Sequence, residues 1–133
     1  MDAHDTINDI LVNLFNEIWK LEEDAIITEE FKDITNNDMH IIEAIGLSGE
    51  NTMSVVAKKL GITAGSLTTA VNGLVNKKYV VRQRSEKDRR VVFLGLTEKG
   101  VRAYEHHREY HRRMTDAVIE RLDEQEIPVL IKT

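Results

Sequence analysis

The chain has 133 residues and a net charge of −5; this length allows one domain with a limited core, so a partner sharing a hydrophobic interface is expected. The sequence has no cysteine, which excludes disulfides, cysteine-based metal sites and thiol-oxidation switches. No apolar run approaches a membrane span and the acidic start is unlike a secretory signal, so we expect a cytoplasmic protein without membrane contact.

The first predicted element is a helix over residues 5–26. Its apolar residues recur at helical spacing and cover an unusually broad face: Ile7, Ile10, Leu11, Leu14, Ile18 and Leu21, widened by Val12, Phe15 and Trp19. This is more apolar surface than a lone helix of a small domain needs. The excess favours an interface with another chain.

A second helix is predicted from a capping signal. Thr35 with Asp38 resembles a capping box, and the helix it opens runs to Ile45 and is closed by Gly46. Residues 48–51 then form a loop. The next two residues, 52 and 53, are predicted to add an edge strand to a small sheet.

Two short helices with a glycine-containing turn follow. Ser54 is predicted to cap the first, which stops at Gly61, and Thr63 to cap the second. The second helix has an apolar stripe formed by Leu67, Val71, Leu74 and Val75. Its opposite face is polar, and hydroxyl and amide side chains of this kind can read base edges in a major groove, where asparagine favours adenine. The pattern predicts a helix-turn-helix, with an ordinary amphipathic helical hairpin as the alternative.

The residues after this hairpin favour DNA binding. Two β-rich runs, 79–84 and 90–96, are joined by a charged tip and predict a wing whose arginines enter a minor groove. Asp88 is interpreted as the orienting partner of Arg90. Residues 54–95 carry a charge of +7, the footprint expected of a phosphate-binding face. The predicted DNA contacts are Ser66, Thr68, Thr69, Asn72, Asn76, Lys77, Arg82, Arg84, Lys87, Asp88, Arg89 and Arg90.

Thr97 is predicted to cap a long helix from Glu98 to about Leu122, and Asp123 a final one with acidic residues in its first turn. His107 and His111 interrupt the apolar stripe of the long helix and leave two hypotheses open. In one, His40, His107 and His111 bind zinc together with Glu22, Glu23 or Asp24. In the other, which we favour, they are half-buried histidines satisfied by neighbouring carboxylates or carbonyls, and no metal or cofactor is required.

The wing string, residues 82–90 followed by 94–100, resembles the wing signature of MarR-family transcription factors. Within that family the chain is similar to the fatty-acid-synthesis repressors, the FabT group. The resembling segments are 31–34, Met39-His40 with Ile42 and Ile45-Gly46, 67–69, 84–92, and His107 with Tyr110-His111. The resemblance implies a mainly α fold with a small β-wing: one domain over 1–133, with dimerisation helices in 1–34 and 97–133 flanking a winged helix-turn-helix in 35–96.

The resemblance also implies a function. By this resemblance the protein would be a homodimeric repressor of fatty-acid biosynthesis genes that binds a pseudo-palindromic operator, with long-chain acyl-acyl carrier protein as corepressor. The acyl pocket would be lined by Leu14, Phe15, Ile18, Met39, Ile42, His107, His111 and Met114, and the acidic carrier would meet Arg102, Arg108, Arg112 and Arg113. Family members usually have a longer last helix, so we expect either a weaker dimer or a sequence that is part of a longer protein.

Two alternative functions remain. One is a zinc-responsive repressor of the same family. The other is a winged-helix module that binds proteins, although such a module would not need the paired arginines of the wing. We find no nucleophile motif, phosphate-binding glycine loop or metalloprotease helix, so we do not expect an enzyme.

Overall fold

The computed structural model describes residues 2–26, 28, 30–120 and 122–133, without the side chains of residues 23, 25, 26, 117 and 118. The helices and strands follow in the order α1 (Ala3–Ile26), α2 (Asn36–Ile45), β1 (Asn51–Thr52), α3 (Met53–Leu60), α4 (Ala64–Asn76), β2 (Val80–Arg84), β3 (Val92–Leu96), α5 (Glu98–Glu120) and α6 (Glu126–Lys132). The strands form one antiparallel sheet in the order β1-β3-β2. This confirms the predicted class, mainly α with a β-wing.

Side-chain caps set the starts of the helices. The predicted box at α2 is confirmed, because the Thr35 hydroxyl accepts the Asp38 N–H at 3.0 Å and the Asp38 carboxylate accepts the Thr35 N–H at 3.1 Å. The predicted cap Ser54 is wrong: the N-cap of α3 is Thr52, whose hydroxyl accepts the Val55 N–H at 3.2 Å. Pairing of Thr52 with Phe93 in the sheet holds it extended and brings the helix start forward.

The sheet boundaries also differ from the prediction. Met53, predicted in the edge strand, is already helical, and β2 begins after Tyr79 rather than at it. The chain turns there because Lys78 has a left-handed φ of +69°, while the amides of Lys78 and Tyr79 donate to the carbonyls of Val75 and Leu74. This Schellman-type end of α4 sends Tyr79 into the core.

The core is formed mainly by α2, α3, α4 and the base of the sheet. Its buried members are Phe31, Ile34, Met39, Ile41, Ile42, Ile45, Val56, Ala57, Leu67, Val71, Leu74, Tyr79, Val80, Leu94 and Ala103. The broad apolar face predicted for α1 is present but solvent-exposed: Ile7, Ile10, Leu11, Val12, Leu14, Phe15, Trp19 and Leu21 are all exposed in the single chain. Val118, predicted in the stripe of α5, has a side chain outside the described residues.

The C-terminal helices begin close to their predicted caps. The Thr97 hydroxyl accepts the Gly100 N–H at 3.0 Å, and α5 ends two residues before the predicted Leu122. The Asp123 carboxylate accepts the N–H groups of Gln125 and Glu126, both at 2.8 Å, although helical geometry is established only from Glu126. Among the described residues, no helix is long and apolar enough to cross a membrane.

Candidate nucleic-acid interface

Helix α4 has the two faces that a recognition helix requires. Leu67, Val71 and Leu74 are buried against the core, as the sequence predicted. The opposite face is exposed along its length and carries Ser66, Thr68, Thr69, Asn72 and Asn76. The Thr63 hydroxyl accepts the Ser66 N–H at 3.1 Å and fixes the first turn. The predicted reading face is therefore exposed on a helix anchored from behind.

A groove of about 570 Å³ separates α4 from the wing. It brings together residues that the sequence placed on different elements, and its lining comprises Thr52, Met53, Ser54, Ala64, Thr68, Asn72, Arg82, Arg84, Arg90, Val91 and Val92. Two of these residues form a hydrogen bond across the groove: the Arg82 guanidinium on β2 donates to the amide oxygen of Asn72 on α4. The sequence did not predict this contact, since neither segment alone indicates the distance between them.

The wing tip is ordered by local hydrogen bonds. The Asp88 carboxylate accepts from the Arg90 side chain at both oxygens, Nε to Oδ1 at 3.0 Å and Nη2 to Oδ2 at 3.1 Å. This bidentate pair lowers the pKa of Asp88 below 3.8 and raises that of Arg90. The contact predicted between these residues is confirmed. Arg84 donates to the Arg89 carbonyl at 2.9 Å and supports the tip from the strand side.

The remaining basic residues of the predicted interface differ in how far their charge is compensated. Lys77, just after α4, has its Nζ 3.5 Å from Oδ2 of Asp38 and is half-buried. Lys87 and Arg89 are exposed at the tip and form no ion pair with any residue that the structure describes. Exposed cations of this kind are suited to phosphate contacts, whereas Lys77 would first have to leave its carboxylate.

A polar junction at the base of the wing holds this unit against α5. The buried Tyr79 donates its hydroxyl to Asp33 at 2.6 Å, and Lys99 lies 3.5 Å from the Asp33 carboxylate and 4.4 Å from the centre of the Tyr79 ring. Burial and the neighbouring Asp33 raise the pKa of Tyr79 far above its ordinary value. Thr97 donates its amide to the Tyr79 carbonyl at 2.9 Å. The sequence had assigned no role to this junction, which joins Asp33 to Tyr79, 46 positions away, and to Lys99, still further along the chain.

A second polar cluster lies where α1, α2 and α5 meet. Glu22 Oε1 is 3.1 Å from His40 Nε2 and 3.5 Å from the Nε2 atoms of both His107 and His111. The two ring nitrogens of His107 and His111 are 2.9 Å apart, and Glu43 approaches His107 at 3.4 Å. Burial lowers the pKa of His107 despite the nearby Glu43, so this ring is neutral at pH 7.

The cluster contains groups from both histidine hypotheses. Ligand atoms of Glu22, His107 and His111 lie within 4.8 Å of one another, close enough to converge on one ion. Against this, Nδ1 of the buried His107 has no hydrogen-bond partner in the described part of the chain, whereas a zinc-bound histidine usually donates its second nitrogen. Of the predicted oxygen ligands, Glu22 takes part, the side chain of Glu23 lies outside the described residues, and Asp24 is exposed.

The residues predicted to line an acyl pocket lie at different depths. Met39 and Ile42 are completely buried in the core, while Leu14 and Phe15 are about half or more exposed on α1. The remaining two apolar residues, Ile18 on α1 and Met114 on α5, are half-buried. In the single chain the proposed lining residues therefore range from exposed positions on α1 to fully buried positions in the core.

The arginines predicted to meet a carrier protein are all exposed on α5, but three of them are paired. Arg102 forms ion pairs with two glutamates. Arg112 and Arg113 both contact Glu109, and the hydrogen bond from Arg112 lowers the pKa of that carboxyl to about 2. Arg108 forms no ion pair among the described residues, so it is the arginine of this set whose charge is uncompensated.

The arrangement of helices and wing is shared with known regulators. A family model described as the MarR family matches residues 32–91. The chain is similar to YwhA of Bacillus subtilis (strain 168), described as an uncharacterized HTH-type transcriptional regulator, at 30% identity over 95 residues, 71% of this chain and 68% of that one. YpoP of the same organism, with the same description, is 27% identical over 110 residues, 83% of this chain and 76% of that one. Among solved structures, Streptococcus pneumoniae FabT in complex with DNA is 40% identical, with a TM-score of 0.93 over 98% of this chain and 91% of that chain.

Proposed function

The chain belongs to the MarR family of DNA-binding transcription regulators, and from that premise we propose that it is a homodimeric repressor of fatty-acid biosynthesis genes with long-chain acyl-acyl carrier protein as corepressor. The observation that carries the proposal is the 40% identity to FabT along 98% of the chain. The proposed division places the DNA-binding region in residues 35–96, between dimerisation segments 1–34 and 97–133. The relatives are regulators, which favours binding over catalysis.

The exposed surfaces support the dimer. Eight large apolar side chains of α1 are exposed in the single chain, and three on α6 (Val129, Leu130 and Ile131) are exposed as well. A contiguous apolar face of this kind is typical of an interface between chains. In a symmetric dimer the two α4 helices would enter successive major grooves about 34–36 Å apart, so the operator would be a pseudo-palindrome.

Control by an acyl group would require the helices around the predicted pocket to move. Met39 and Ile42 are completely buried in the single chain, so an acyl tail would reach them only in an arrangement shifted from this one. A ligand that binds the shifted arrangement better stabilises it and changes the population of DNA-competent dimers. Arg108, with its uncompensated charge, is the strongest candidate for the contact with an acidic carrier protein.

A mobility-shift titration tests the proposal. Palindromic duplexes are first selected from a random pool with the purified protein, and affinity is then measured with long-chain acylated carrier protein and with the unacylated carrier as control. We expect tighter DNA binding only with the acylated form. Arg108→Glu should remove that gain and leave the basal affinity unchanged, since Arg108 lies outside the basic segment 54–95. Equal affinity with both carrier forms would exclude acyl control.

The convergence of Glu22, His107 and His111 favours zinc control as a second candidate, although His40, also predicted as a ligand, contacts Glu22 without belonging to this group. The 3.5 Å separations between the carboxylate oxygen and the two ring nitrogens are close to the spacing of about 3.3 Å between ligands of a tetrahedral zinc ion. If Zn²⁺ controls the protein, a chelator should abolish DNA binding, and His111→Ala should lower Zn²⁺ affinity while the control His106→Ala on the same helix should not. We expect the chelator to have no effect, and stoichiometric zinc bound by Glu22, His107 and His111 would instead establish the second candidate.

A further inference from the structure

The amide of Asn72, the central polar residue of α4, has its orientation set from within the protein. Its oxygen accepts a hydrogen bond from the Arg82 guanidinium across the groove between α4 and the wing. A guanidinium has five N–H donors and no acceptor. The amide therefore presents its oxygen to Arg82, which occupies one of that oxygen's two lone pairs, and its NH₂ group is free to face an incoming base.

We propose that Arg82 makes Asn72 a hydrogen-bond donor in DNA recognition, so that residue 72 selects a base-edge acceptor instead of reading adenine with both amide atoms. The inference rests on the proposed DNA-binding function and deepens it. In the major groove the available acceptors are guanine N7 and O6, thymine O4 and adenine N7. Bidentate reading of adenine would also bring its N6–H donor to the amide oxygen, where the positively charged guanidinium repels it.

The neighbouring threonine has the complementary polarity. Thr68 lies one turn before Asn72 on the same face, and its hydroxyl donates to the Ala64 carbonyl at 2.8 Å. With its proton used inside the helix, the Thr68 oxygen faces outward as an acceptor, suited to the N–H of cytosine or adenine. The recognition face thus presents an acceptor and a donor at adjacent turns, and the donor depends on a residue of the wing.

The position of Arg82 separates it from the cations of the wing tip. It pairs with Leu94 in the middle of the β2–β3 ladder, whereas Lys87 and Arg90 lie at or beside the turn. From the middle of the ladder the side chain reaches α4 rather than projecting past the tip. Arg82 is accordingly a positioning residue: its effect on base choice acts through Asn72.

Selection from random-sequence duplexes tests this. The wild-type protein, Asn72→Ala, Arg82→Met and the matched control Lys87→Met, which removes a wing charge without touching α4, are each used to enrich a pool. Asn72→Ala identifies the position in each half-site that residue 72 reads. There, Arg82→Met should raise the enrichment of adenine over guanine and thymine by roughly tenfold. Lys87→Met should weaken binding on all sequences and leave the base profile unchanged.

The conservative variant sharpens the result. Arg82→Lys keeps a donor without an acceptor and should retain the wild-type profile. Asn72→Asp keeps the oxygen facing Arg82 but has no donor, so it should lose the preference at that position while its melting temperature stays within a few degrees of wild type. An unchanged base profile for Arg82→Met, with only a uniform loss of affinity, would overturn the inference and leave Arg82 a phosphate contact. A wild-type pool without any enriched motif would overturn the proposed sequence-specific function and the inference with it.

Discussion

Replacing Gly100 by alanine tests the close contact between α5 and the base of the wing. Gly100 is buried in the first turn of α5, and an added Cβ would lie 2.1 Å from the Tyr79 carbonyl oxygen and 3.1 Å from Cβ of Leu96. That carbonyl cannot turn away, because it accepts the Thr97 amide at 2.9 Å. The start of α5 therefore has to move away from the base of the wing by nearly an ångström.

The expected effect is a net loss of stability. Overpacking a buried contact costs about 1–3 kcal/mol, and a 2.1 Å approach to a fixed backbone oxygen falls at the upper end of that range, while the better helix propensity of alanine returns up to about 1 kcal/mol. A net loss of about 1–2 kcal/mol corresponds to a melting temperature lowered by roughly 3–10 °C. Thermal unfolding followed by circular dichroism, at one protein concentration because association contributes to stability, measures this change.

Gly73→Ala is the matched control. Gly73 lies inside α4 with open space where its Cβ would be, so alanine should stabilise the helix by about 0.5–1 kcal/mol. The two glycine replacements are thus expected to shift the melting temperature in opposite directions. If Gly100→Ala melted at or above the wild-type temperature, the close packing of α5 on Tyr79 would not exist in solution.

Three further predictions concern DNA, the carrier surface and pH. Arg90→Ala should weaken operator binding by about 1–3 kcal/mol in a mobility shift, and an unchanged affinity would refute the wing contact. Glu109→Gln should strengthen binding of acylated carrier protein in a titration by releasing Arg112, whose hydrogen bond lowers the pKa of Glu109 to about 2; weaker binding would exclude this surface. Burial raises the pKa of Asp33, but the hydrogen bond from Tyr79 lowers it and helps to keep it below 3.8. The pair therefore stabilises the fold above that pH, and this contribution to the free energy of unfolding is lost as the pH falls through the lowered pKa. Tyr79→Phe should flatten the fall in unfolding free energy under acid, measured with denaturant from pH 5 to 2, and an identical acid slope in both proteins would contradict this.

The parts of the fold that were predicted correctly are those specified by residues close in sequence. The Thr35 and Asp38 box, the left-handed Gly61 and the caps at Thr63 and Thr97 each involve contacts over three or four positions. Caps and periodicity are local by nature, so one sequence is enough to locate them. For this reason the helices and the wing hairpin are predictable from the sequence alone.

The incorrect predictions involve competition that only distant contacts decide. Thr52 and Ser54 are both good N-caps, and the choice falls to Thr52 because Phe93 pairs with it in the sheet. Tyrosine has a high propensity for strands, yet the left-handed turn at Lys78 directs Tyr79 into the core. Tertiary context overrides local preference in both cases.

The candidate site shows the same division. The sequence identified the polar face of α4 and the basic wing separately, and the Asp88–Arg90 pair was predicted because its members are two residues apart. The bond between Asn72 and Arg82 could not be predicted, because it depends on how β2 packs against α4. The arginines of α5 were predicted as a positive surface, but helical spacing also places Glu109 beside two of them.

The exposure of α1 in the single chain affects how quickly the backbone amides of this helix exchange their protons with solvent. Among the described side chains of this helix, the most deeply buried is the carboxylate of Glu22, while eight large apolar ones are exposed and Ile18 is half-buried. In a lone chain, opening α1 breaks few apolar contacts, so its amides should exchange with deuterium far sooner than those of α2, four of whose apolar side chains are buried in the core. A second chain that covers the apolar face would slow that exchange. The deuterium uptake of α1 at a given concentration therefore reports the fraction of the protein that is assembled.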